Sequence, residues 1–173
     1  MNRKQNIIHK TMLAEGGFVS APSRIDQPTN IGITAPTLAA FNARHPELRF
    51  PTRVADIAPT HAEIIYGEMY YDARHIDEIR NDRIAAAIFD MGVMSNFKNV
   101  VKLVQRTLNT VCDTTLATDG IMGPHTVCAI NAIPANAIDR FMAALKAARI
   151  EYLRALPGWA KFGTGWTLRT NGY

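Results

Sequence analysis

The chain has 173 residues, 47% apolar and 20% charged, which is enough for one ordinary core and excludes a disordered chain. No apolar run approaches the roughly 18 residues that span a bilayer, so no integral membrane segment is expected. Basic residues outnumber acidic ones 19 to 15, and residues 140–173 hold six of them (Arg140, Lys146, Arg149, Arg154, Lys161, Arg169) against Glu151 alone. A basic end suits an anionic wall polymer, a nucleic acid or a membrane surface; the alternative is a solvated helix face.

In chain order, residues 2–14 form a helix on the spacing of Ile7, Ile8, Met12 and Leu13, stopped by Glu15-Gly16-Gly17. Arg3 and Lys4 precede only Ile7-Ile8 before His9-Lys10, so no secretory apolar stretch is expected. Pro22, Ser23, Asp26, Pro28 and Asn30 are turn formers, and Ile31-Gly32-Ile33 is too short for a helix. An irregular loop and a small hairpin are expected there. Pro36 opens a short helix over 37–44, with Thr34 available as its N-cap. Thr60-His61-Ala62-Glu63 has the form of a capping box that starts another helix.

Ile84, Ala87, Ile88 and Met91 mark a helix, as do Val100, Val101, Val104, Leu108 and Val111. Asp119-Gly120…Gly123-Pro124 is a tight turn leading into a helix start, without the ligand pattern of a calcium loop. Ile138, Phe141, Met142, Leu145, Leu153 and their neighbours form a last long helix, ended by Pro157-Gly158. The expectation is a mainly helical α+β domain of about seven helices. Cys112 and Cys128 either pair in an oxidising compartment or stay as two buried thiols.

Glu15 is the first candidate for chemistry. At the C-terminal end of a helix the dipole disfavours a carboxylate's charged form, which suits a general acid. Glycoside hydrolysis needs a second group across the scissile bond: a carboxylate nucleophile, or a base or holder for water. Asp26 is the other acid of the following loop, while Thr29 and Thr34 carry hydroxyls that could hold a water. Trp159 and Trp166 both lie in the tail among basic and small residues, where aromatic faces can stack on sugar rings. Trp166 with Arg169 is the better ligand wall. His9, His45, His61, His75 and His125 show no zinc spacing, and no phosphate-binding or nucleophile-elbow motif occurs, so no metal or cofactor is expected.

Glu15-Gly16-Gly17-Phe18-Val19, Pro22 and Thr29-Asn30-Ile31-Gly32-Ile33-Thr34 together resemble the opening signature of glycoside hydrolase family 108. Tyr70-Tyr71, Ile88-Phe89-Asp90, Gln105, Asp119-Gly120…Gly123-Pro124…Thr126 and Gly165-Trp166…Arg169 resemble the rest of such chains. The resemblance implies a lysozyme-like fold, with residues 1–95 as the catalytic part. Residues 96–173 would be a helical peptidoglycan-binding part, packed with the first as one compact unit. It implies a muramidase cutting the β-1,4 bond between N-acetylmuramic acid and N-acetylglucosamine, with Glu15 as acid and Thr34 on the family threonine. A subgroup of the family opens the wall locally for toxin secretion, and this chain is similar to it.

The chain departs from the family pattern at two places. Arg24 stands at the usual Asp position, with Asp26 two residues on, and Met94-Ser95-Asn96 replaces a common Asn-Ser-Gly. Arg24, Tyr70, Asn96, Trp166 and Arg169 are the candidate substrate contacts. The expected partner is the peptidoglycan glycan strand rather than nucleic acid, and the protein is expected to be a monomer. It would be made in the cytoplasm and act in the periplasm or wall after release or translocation. A lytic transglycosylase and a catalytically idle wall-binding module are the rival readings.

Overall fold

The computed structural model describes residues 1–16 and 28–173. The expectations placed on 17–27, including those for Arg24 and Asp26, lie outside the described residues. The described residues form eight α-helices and one two-stranded hairpin, a mainly α, lysozyme-like fold, divided into two compact units, Met1–Ala73 and Arg74–Tyr173. None of these helices is long and apolar enough to cross a membrane.

In the first unit, α1 (Arg3–Glu15) starts at a reciprocal cap. Asn2 Oδ1 accepts from the Gln5 amide at 2.9 Å, and Gln5 Oε1 accepts from the Asn2 amide at 3.0 Å. The helix buries Ile7, Ile8 and Thr11 and packs on α3 (Pro59–Tyr66) and the π-helical turn Gly67–Tyr71 that continues it. Strands β1 (Thr29–Asn30) and β2 (Ile33–Thr34) pair antiparallel in the register Thr29↔Thr34 and Asn30↔Ile33. Buried Asn30 and Ile33 therefore share one face, and half-buried Thr29 and Thr34 the other. The Asn30 amide donates to the Val54 and Ile57 carbonyls at 3.0 and 3.2 Å, tying the hairpin to the buried turn below it.

Helix α2 (Ala35–Arg44) begins with Pro36 in its first turn and Thr34 as N-cap, and buries Leu38 and Phe41. The expected capping box at Thr60 does not form. Helix α3 starts two residues earlier, at Pro59 with Ala58 as its N-cap, and the Ala58 amide donates to His61 Nδ1 at 3.0 Å. Proline in the first turn, where an amide has no helical partner, moves the start forward.

The second unit is built around α4 (Asp82–Met94), capped by Asn81 and buried almost throughout from Ile84 to Gly92. A helix apolar on all sides must lie inside. Helix α5 (Phe97–Val111) packs on α4, α6 (Pro124–Asn131) and α7 (Ile138–Arg154), and α8 (Trp159–Asn171) closes over α7. That last helix is an addition to the expected seven, because Gly163 and Gly165 each cost about 1 kcal/mol relative to alanine inside a helix and so argue against one. The structure gives Gly163 a reason: a Cβ there would stand 2.8 Å from the Trp159 indole, so only glycine lets that ring lie on the helix backbone. The two thiols are unpaired with one another. Cys112 is half-buried and its thiol is pushed up by burial, whereas Cys128 is exposed rather than in the core.

Candidate active site

Glu15 is the last residue of α1, and Gly16 turns the chain away with φ +74°. The side chain is half-buried and its Oε1 is shut off from solvent. Its neighbour is the hairpin turn. The β1–β2 loop has two residues, Ile31 and Gly32, with φ +51° and +71°. Both central residues are thus left-handed, as a type I′ turn requires. A Cβ on Gly32 would stand 2.8 Å from Glu15 Oε2 and 2.9 Å from Glu15 Cγ, and would collide with the Tyr66 hydroxyl. Glycine is required here twice: for the backbone and for the carboxylate lying against it.

Ile31 is the unusual member, since a β-branched residue at positive φ is a genuine outlier. The Tyr66 hydroxyl, from the end of α3, donates to the Ile31 carbonyl at 2.9 Å and fixes the turn. The Tyr70 ring lies 5.5 Å from that of Tyr66 at 58°. Tyr66 was not among the sequence candidates. The available signal was indirect: a hairpin reading Ile-Gly where Asn-Gly is the easy choice needs an external hold.

Of the other candidates in this unit, Thr34 Oγ1 accepts from the Thr37 amide at 3.3 Å and lies 2.9 Å from Thr37 Oγ1, so it is the N-cap of α2. Thr29 stands directly across the hairpin from it. Among the described residues Thr29 has no comparable capping bond.

The candidates of the second unit do different things. Asn96 is exposed and N-caps α5, accepting from the Lys98 amide at 3.0 Å. Trp166 is half-buried in an aromatic group, 5.9 Å from Phe162 and 6.4 Å from Trp159, with Lys161 over Phe162 and Arg154 over Trp159. Arg169 takes part in a buried network. Its Nε and Nη2 donate to Asp90 Oδ1 at 2.8 and 2.6 Å, while Arg149 Nη2 donates to Asp90 Oδ2 at 2.8 Å.

The Asp119 turn is held by Gln105. The Gln105 amide donates to Asp119 Oδ1 at 2.8 Å, and its oxygen accepts from the Gly120 amide at 2.9 Å. The Ile121 amide and then Gln105 hold the Asp119 carboxyl below its ordinary value. Beside it opens a cleft of about 610 Å³ whose lining includes Asp113, Thr114, Asp119, His125 and Cys128. Among the described residues no group of three or more His, Cys, Asp or Glu side chains could hold a metal ion.

The family model for glycosyl hydrolase 108 matches residues 8–95, a segment that includes Glu15, the hairpin and Tyr66. The solved structure of Brucella abortus SagA is similar over 98% of this chain and 90% of its own, with a TM-score of 0.78 and 28% identity. No curated protein matches the chain. The chain belongs to the glycosyl hydrolase 108 family and is a glycoside hydrolase of peptidoglycan.

Proposed function

We propose that the protein is an N-acetylmuramidase that hydrolyses the β-1,4 bond between N-acetylmuramic acid and N-acetylglucosamine, with Glu15 as the proton donor to the leaving oxygen. The observation that carries this reading is the lodging of the Glu15 carboxylate at the end of α1, with Oε2 against the Gly32 turn and Oε1 out of solvent. A carboxyl held in one place against a fixed turn can be aimed at a leaving oxygen, the geometric requirement of a general acid.

The second group is Asp26 or a water held by Thr29. Thr34 serves less well, because its oxygen is engaged in capping α2. The stereochemical outcome separates the two: a carboxylate nucleophile gives retention, and a positioned water gives inversion. Residues 96–173 hold the glycan strand in this reading, with Trp166 and its aromatic neighbours stacking on sugar rings and the surrounding cations attracting an anionic polymer. The resemblance of the sequence to family members that open the wall locally supports a role in lysis or toxin release.

The test is mass spectrometry of borohydride-reduced digests of purified peptidoglycan. New muramitol ends are expected. Anhydro-muramic ends would reassign the protein to the lytic transglycosylases. The absence of new ends on any wall type would leave a module that only binds.

A further inference from the structure

We infer that Tyr66 is a positioning residue for Glu15, acting through the left-handed Ile31-Gly32 turn. The inference rests on the reading of Glu15 as the acid. The vacant Cβ position of Gly32 is the meeting point. Glu15 Oε2 is 2.8 Å from it, and the Tyr66 hydroxyl is closer still. The same hydroxyl donates to the Ile31 carbonyl at 2.9 Å, across 35 positions of sequence. With its one proton given to Ile31, the Tyr66 oxygen has only lone pairs left for other contacts, so on any other side it can serve only as an acceptor.

The turn needs such a hold. Holding a β-branched residue in the left-handed region is strained and persists only where the surroundings over-determine it. Without the hydroxyl, Ile31 is free to relax towards extended backbone, and Gly32 leaves its place against the Glu15 carboxylate. Tyr66 itself is 1% exposed, so its ring is fixed in the core of the first unit and only the oxygen works at the turn. The ring and the hydroxyl therefore have separable roles: the ring packs, and the hydroxyl sets the turn that abuts the acid.

Tyr66→Phe removes the oxygen and keeps the ring. Its kcat on purified peptidoglycan is expected to fall about tenfold, the equivalent of one hydrogen bond, with KM unchanged. The distinguishing measurement is rescue. Ile31→Asn creates the Asn-Gly pair that adopts a type I′ turn unaided. In the Tyr66→Phe background it is expected to restore most of the lost kcat, which a packing role for Tyr66 would not allow.

Glu15→Gln is assayed beside them, with thermal unfolding followed for every variant. Wild-type kcat in Tyr66→Phe, or a loss that Ile31→Asn leaves untouched, would overturn the inference while an inactive Glu15→Gln leaves the acid assignment standing. Full activity in Glu15→Gln would instead remove the reading on which the inference depends. If Tyr66→Phe melts too low to assay, Ile31→Asn must recover the fold as well as the rate. Recovery of the fold without the rate counts against the inference.

Discussion

The Asp90 carboxylate, fully buried on α4, receives Arg169 Nη2 at 2.6 Å from α8, a partner 79 positions away in sequence. Arg149 on α7 takes the other oxygen, and its own side chain is 5% exposed, so burial lowers its affinity for the proton while Asp90 opposes that effect. Three helices are locked by one carboxylate. Buried charge pairs add little over a well-packed apolar replacement, but removing one partner leaves the others uncompensated. Asp90→Asn should therefore destabilise the protein by about 3–5 kcal/mol, read from urea unfolding followed by circular dichroism. Arg169→Lys, which cannot reproduce the two-nitrogen contact, should lower stability and leave wall binding little changed. A wall-binding loss at unchanged stability would return Arg169 to the ligand wall.

At the hairpin, Gly32→Ala is predicted to be worse than an ordinary loop substitution. The left-handed conformation costs an alanine about 1–2 kcal/mol, and the added methyl meets Glu15 and Tyr66 together. Activity should fall more than the melting temperature suggests, and Gly16→Ala is the control. Gly16 also has positive φ, but nothing among the described residues lies near its Cβ position, so its substitution should cost stability without the same collision.

Two titrations act on opposite limbs of the stability profile. Asp119 is held below its ordinary 3.8, first by the Ile121 amide and then by Gln105. Its folded value lies below its unfolded one, so its contribution is complete above the unfolded value and is lost as pH falls through the folded one. His45 is raised above 6.5, first by its hydrogen bond to Glu68, with Nε2 2.6 Å from Glu68 Oε1. Its contribution is present below the unfolded value and is lost as pH rises through the folded one. Urea midpoints measured from pH 3 to pH 9 should show Asp119→Asn flattening the acid limb and His45→Gln flattening the limb above neutrality. Parallel curves for variants and wild type would contradict both assignments.

For wall binding, Trp166→Ala should weaken sedimentation with purified peptidoglycan by about 1 kcal/mol, roughly fivefold. Binding by the wild type should weaken with added salt, because exposed charges are screened over about 10 Å at 0.1 M. Undiminished binding in the variant at unchanged melting temperature would move the strand elsewhere, with the cleft beside Asp119 the next place to probe.

Much of this was legible from local sequence rules. Pro36 and Thr34 announced α2 and its cap, the turn formers up to Asn30 with the short Ile31-Gly32-Ile33 run announced the hairpin, and the 3/4 spacing of Val100 to Leu108 announced α5. Glu15 at a helix end beside glycines was a visible candidate. What escaped was non-local. Tyr66 has no distinguishing neighbours in sequence, because its work is done on a turn 35 positions earlier. Asp90 stands in an apolar helix with its cations on two later helices, so its pairing with Arg149 and Arg169 could not be read along the chain alone. Helix α8 was hidden because glycines that oppose a helix locally are there to seat Trp159.

The most direct test of the central claim is the release of reducing muramic ends from purified peptidoglycan by the wild type and by Glu15→Gln, matched by their melting temperatures. The amide keeps the shape of the side chain and removes its transferable proton. Release by the wild type, with at least a hundredfold loss in a fully folded Glu15→Gln, is the predicted result, in line with the usual 10²–10⁴ worth of a general acid. Equal release by the two proteins would contradict the account.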